Sequence, residues 1–152
     1  MATACFAAMV IALAAAPGAG ADGWSEVATF GNWTVVRNHA STSSQTQCLA
    51  VHQRYAAIRL YDDQLQIAVP ETPRGYQYQI DSGAASKLHL ASQAEQENAT
   101  VSLAGTLLTN LASSERVKVE ILTYSKILEV DLDLDGIDDA LAYLDGAPSC
   151  RS

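Results

Sequence analysis

The chain is short of bases, short of cysteines, and lacks the compact motifs that announce catalysis. Of its 152 residues, 9 are Lys or Arg against 17 Asp or Glu, a formal net charge of −8. So few cations exclude nucleic acid as a principal partner, because phosphate-backbone binding rests on clustered Lys and Arg. No His-Glu-x-x-His, Cys-x-x-Cys, Gly-x-Ser-x-Gly or Ser-x-x-Lys motif occurs. The signatures of zinc proteases, dithiol centres and serine enzymes are thereby missing. The 4 prolines and 9 glycines form no linker, and no repeat divides the chain. The longest apolar run, Cys5 to Ala16, falls short of the roughly 20 residues a membrane-spanning helix needs.

That run is the first informative feature. Pro17-Gly18 ends it, and Ala19-Gly20-Ala21 has the small-x-small form of a signal-peptidase site. The expectation is a signal peptide over 1–21, cleaved after Ala21, and one β-rich domain over 22–152. The segment departs from the usual pattern in having no Lys or Arg. Cleavage removes Cys5 and leaves Cys48 and Cys150, an even number that in an exported chain reads as one disulfide. Two unrelated buried thiols are the alternative. Neither cysteine sits in a nucleophile motif.

Periodicity in the remaining chain is mostly two. Trp33 to Val36 follows the turn Phe30-Gly31-Asn32, and a second strand runs through Cys48, Leu49 and Val51. Ile58 to Val69 reads as two strands, or one with a bulge at Asp62-Asp63. Tyr76, Tyr78 and Ile80 share one face of another strand, and Lys87 to Leu90 is a short alternating piece. Val117 to Ile121 and Leu128 to Leu134 alternate apolar with charged residues around a turn at Thr123 to Lys126, the clearest hairpin signal present. Helical spacing occurs at Leu103, Leu107, Leu108 and Leu111, and again at Ile137, Ala140, Leu141 and Leu144, with Asp135 as the expected N-cap. The fold expected is mainly β, an antiparallel β-sandwich or curled sheet of about seven or eight strands. Two short helices are expected, near 103–112 and 136–145.

Among candidate sites, Asp131-x-Asp133-x-Asp135-Gly136 matches the opening of a calcium loop, where alternate carboxylates meet a hard cation. Ala142 stands where the loop's closing bidentate Glu belongs. The simpler reading is a strand with its acids in water. His39, His52 and His89 have no metal-ligand spacing. Tyr55, Tyr61, Tyr76 and Tyr78 are candidates for an aromatic recognition surface or for half-buried packing. A hydrolase built on an unrecognised carboxylate pair is a further alternative, since any two acids can meet in space. No cofactor is expected.

Gly31-Asn32-Trp33-Thr34-Val35, followed by Gln47-Cys48-Leu49-Ala50-Val51-His52-Gln53, resembles the opening of the invasion-associated locus B family of bacterial envelope proteins. The stretch Leu128 to Ile137, with Ala140-Leu141 and the late Cys150, is similar to that family's closing strand and helix. Ile80-Asp81 and Leu107 to Leu111 resemble its middle. The likeness covers roughly 27–150. Val36-Arg37 stands where members often have a cysteine, Ile137 replaces the usual Phe, and a further mid-chain cysteine pair is missing. The resemblance implies an exported, β-rich, non-catalytic protein, periplasmic or secreted. It would act by protein–protein interaction in the envelope or on a host cell, with no membrane span after signal cleavage. It supplies no catalytic residue.

Overall fold

The structure, a computed structural model, describes residues 23–38, 47–148 and 150. The expected signal peptide and His39 lie outside the described residues. The described residues form two antiparallel sheets with three short helices.

The first sheet begins with strands β1 (Trp24–Phe30) and β2 (Trp33–Asn38), joined by the turn at Gly31-Asn32. It continues through β3 (Gln47–His52), β4 (Ile58–Leu60) and β5 (Gln64–Ala68) as a meander. Asp62-Asp63 is thus a turn between two strands, the first of the two readings that the sequence left open. The chain then crosses to the second sheet as β6 (Pro73–Ile80) and the two-residue β7 (His89–Leu90). It returns through helix α1 (Gln93–Asn98) to lay β8 (Thr100–Ala104) beside β5. Helix α2 (Thr106–Ala112) leads to the hairpin β9 (Arg116–Thr123) and β10 (Ile127–Asp133), which completes the second sheet in the order β10-β9-β6-β7. Helix α3 (Ile137–Gly146) closes against β1, β2 and β3.

The core explains the alternation. Trp33, Val35, Leu65, Ile67, Val101 and Leu103 come from the first sheet; Val117, Val119, Ile121 and Leu132 come from the second. Leu108 and Leu111 of α2, with Ile137, Ala140 and Leu144 of α3, join the same buried cluster. Removing this apolar surface from water is the main stabilising contribution.

Three local expectations are corrected. Leu103 is not helical; it lies in β8 opposite Leu65, and Gly105 at φ +63° turns the chain before α2 begins. Asp135 does not cap α3: Gly136, at φ +81°, holds the N-cap position without a side-chain bond. Asp135 instead faces the β1–β2 turn, its carbonyl accepting from the Asn32 N–H at 3.0 Å. Helix α1 escaped periodicity because it buries no residue. Its signal was local, a capping box in which Ser92 and Glu95 satisfy each other's backbone N–H.

The Sγ atoms of Cys48 and Cys150 stand 2.09 Å apart, at disulfide distance, joining the segment after α3 to β3. No described helix is long and apolar enough to cross a membrane.

Candidate functional site

The outward face of the second sheet carries the least ordinary surface of the molecule. Register places Leu90, Gly75, Leu122 and Ile127 side by side, one from each strand. On most of this face the alternation rule puts polar residues in water; here it puts an apolar row. Leu90 is 81% exposed, Ile127 63% and Leu88 46%. Gly75 is what lets β7 approach: a Cβ there would stand 2.7 Å from the His89 carbonyl oxygen and 3.2 Å from Leu88 Cδ1. Beside this close approach, Arg74, Gly75, Leu88, Leu90, Leu122 and Thr123 border a notch of about 170 Å³.

One end of this row is held by the β9–β10 turn. Glu71 accepts hydrogen bonds from the Ser125 hydroxyl at 2.6 and 2.8 Å and from the Thr123 hydroxyl at 2.8 Å. These bonds, the Ser125 hydroxyl's first, hold the Glu71 carboxyl below its ordinary pKa. Tyr124, 76% exposed, lies with its ring centroid 5.1 Å from the Arg74 guanidinium carbon.

Away from the turn, the same face becomes a charged ladder. Successive cross-strand pairs on β9 and β10 are Glu120 with Glu129, Lys118 with Asp131, and Arg116 with Asp133. The ion pairs run diagonally, Lys118 to Glu129 at 3.8 Å and Arg116 to Asp131 at 3.5 Å, all well exposed. Pairs of that kind contribute little to stability. Four acids face two bases, and Glu120 sits directly opposite another glutamate, an arrangement sheet stability disfavours.

The ladder ends at an open cleft of about 900 Å³ lined by Asp81, Glu115, Asp133, Asp135 and Asp138, with Arg116 as its base. Several of these carboxylates are engaged structurally. Asp81 Oδ1 accepts the backbone N–H groups of Glu115 and Arg116 at 3.0 and 2.9 Å, and Asp133 Oδ1 accepts the Asp135 N–H at 3.0 Å. The structure does not gather Asp131, Asp133 and Asp135 into the calcium site their spacing suggested. Asp131 turns to Arg116, Asp133 to its own turn, and Asp135 to Gly31. Among the described residues no group of three or more His, Cys, Asp or Glu is placed to hold a metal ion.

The tyrosines and histidines separate into two groups. Tyr76 and Tyr78 each stack on His89, with ring centroids 5.3 and 5.4 Å apart. Both tyrosines pack against the core from the inner side of β6. Burial, with Glu95 and Tyr78 adding to it, pushes the Tyr76 phenol above its ordinary pKa. Tyr55 stacks on His52, which meets the buried Trp33 edge-on. Tyr61, half-buried, precedes the β4–β5 turn with its N–H donating to the Gln64 carbonyl at 2.8 Å, and Tyr55 stands apart from the Tyr76–Tyr78 pair.

His52 is 3% exposed. Its Nδ1 accepts the Arg54 backbone N–H at 3.2 Å, so its Nε2 carries the proton and donates to the Asp133 carbonyl at 3.3 Å. This bond ties β3 of one sheet to the end of β10 in the other. Burial lowers the His52 pKa below 6.5, outweighing the opposing pull of Asp133. The folded state then binds fewer protons than the unfolded state, so stability falls as pH drops below about 6.5 and levels off beneath the folded pKa. Urea midpoints between pH 7.5 and 5 should show this slope in the parent protein. The slope should disappear in His52→Gln, while a parent protein equally stable across that range would contradict the arrangement.

No family model matches the chain. No curated protein and no solved structure matches it either. The apolar row was missed in sequence because Leu90, Leu122 and Ile127 each look like ordinary strand residues. Only register across four strands makes them neighbours.

Proposed function

We propose that this chain is an exported binding protein of a bacterial envelope, periplasmic or secreted, that acts through protein–protein contact without catalysis. The carrying observation is the outward apolar row in which exposed Leu90 and Ile127 flank half-buried Leu122, on a sheet whose inner face is already buried. Contiguous apolar surface of that kind on a soluble domain is a usual mark of an interaction site. The apposed Cys48 and Cys150 support an oxidising compartment. The resemblance to invasion-associated locus B proteins points the same way.

Two measurements test the reading. Protein recovered from periplasm or medium should begin at Asp22 by intact mass and contain no titratable thiol. Protein that retains residues 1–21 and has two free thiols would count against export. Photo-crosslinking from position 127 in the envelope should yield a discrete adduct that Leu90→Ser abolishes; its persistence would remove the face from the reading. A carboxylate-pair hydrolase is the competing reading, with the acidic cleft as its footing. Turnover of a glycosidic substrate that Glu115→Gln and Asp138→Asn eliminate would establish it instead.

A further inference from the structure

We propose that the outward face of the four-stranded sheet receives an extended cationic segment of a partner protein, one apolar side chain anchored in the Gly75 notch and bases following at every second residue. The inference rests on the binding-protein reading and names the chemistry of its partner.

Three observations lead to it. The first is the notch itself, which Leu88, Leu90 and Leu122 border together with Arg74, Gly75 and Thr123. It is sized for one aliphatic side chain rather than for a broad apolar surface. The second is the direction of the charge. From the apolar row, the pairs Glu120–Glu129, Lys118–Asp131 and Arg116–Asp133 succeed one another along β9 and β10. Residues on one face of a strand recur about 6.7 Å apart, two residues at a time. An extended segment lying along the strands has the same repeat. Its bases at the second, fourth and sixth residues after the anchor fall in step with successive acid-bearing rungs. The third is that Glu120 and Glu129 stand opposite each other in register, with Lys118 reaching Glu129 at 3.8 Å. Among the described residues Lys118 is the one base reaching this rung of two carboxylates, so a second cation from a partner would be drawn to it.

Charge also selects among occupants. A second copy of this chain would bring another net charge of −8 and set its own acid-rich ladder near this one. An anionic membrane surface would be repelled in the same way. A partner with the opposite sign is drawn in, and its attraction weakens as salt screens it.

The test uses the full exported chain and a defined probe: an acetylated, amidated heptapeptide with Leu at position 1, Lys at positions 3, 5 and 7, and Ser elsewhere. Binding is followed by amide chemical shifts at low salt. The expected result is perturbation centred on Leu90, Leu122, Glu120 and Glu129, with affinity falling at least tenfold between 20 and 300 mM NaCl. Leu90→Ser should weaken binding about tenfold without changing the thermal midpoint, since Leu90 is so exposed. Glu120→Gln should weaken binding severalfold while holding or raising that midpoint, because it removes the opposed charge. A peptide with Glu in place of Lys should not bind.

Shifts confined to the Asp81 and Asp138 cleft, equal affinity in Leu90→Ser, or no binding at millimolar peptide would overturn the proposal. So would a concentration-dependent dimer that Leu90→Ser dissociates, or binding to vesicles rich in anionic lipid through Leu90. If the peptide fails but the position-127 crosslink still forms and still depends on Leu90, the binding-protein reading stands and the partner's chemistry is different. If both fail, both readings fall.

Discussion

Replacing Cys48 with serine should lower the thermal midpoint by roughly 6–12 °C. The bridge that Cys48 and Cys150 are placed to make closes a long loop, its two ends 102 positions apart in sequence. In the chain-entropy view a loop of about 100 residues contributes up to roughly 4.7 kcal/mol by restricting the unfolded chain, and observed values centre on about 2–4 kcal/mol. For a chain of this size each kcal/mol moves the midpoint by about 2–4 °C, which gives the stated range for about 3 kcal/mol. Calorimetry of the parent protein, oxidised and fully reduced, and of Cys48→Ser checks this. Reduction should reproduce the substitution and leave the variant unmoved. A parent protein indifferent to reductant would show that the bond contributes nothing to the fold.

Gly136→Ala should be comparably damaging, although it adds a single methyl group. At φ +81° the residue occupies backbone space that L side chains rarely enter, and the added Cβ would stand 2.3 Å from the Phe30 carbonyl oxygen. Gly31 answers it from the other side: a Cβ there would lie 2.4 Å from the Asp135 carbonyl oxygen. The β1–β2 turn and the turn before α3 thus close on each other backbone to backbone, fixed by the Asn32–Asp135 hydrogen bond. Strain at a disfavoured φ combined with forced separation of two turns costs about 2–4 kcal/mol. Urea denaturation of Gly31→Ala, Gly136→Ala and the double variant should show large single effects. The double effect should fall short of their sum, because the first methyl already pushes apart what the second would. Additive losses, or single losses under about 0.5 kcal/mol, would mean the two turns do not act as one contact.

The strands were legible wherever one face is buried, as in β9, where Val117, Val119 and Ile121 alternate with charged residues. They were illegible in β8, whose Leu103 falls at helical spacing from Leu107. Only the positive φ of Gly105 separates strand from helix there, and sequence does not print a dihedral angle. The two glycine motifs were visible as separate signals, Gly31-Asn32-Trp33 early and Asp135-Gly136-Ile137 late. That they touch is a property of topology. The same holds for the candidate site: the acids of β10 were conspicuous and suggested calcium. Their neighbours on β9, the notch at Gly75 and the apolar row depend on which strands the fold brings together.

The order in which the strands are laid down has a kinetic consequence. The first sheet is left one strand short after β5 and regains β8 only after the chain has begun the second sheet, whose β6 waits for β9 to arrive. Neither sheet can finish, and neither apolar face can be covered, until most of the chain is present. Pairings this distant in sequence fold on a scale of roughly milliseconds to seconds, far slower than local helical contacts. A nascent chain of this design stays loose and threadable for most of its synthesis. Under the proposed export, that delay would let the polypeptide reach a translocation pore before it has a shape to lose.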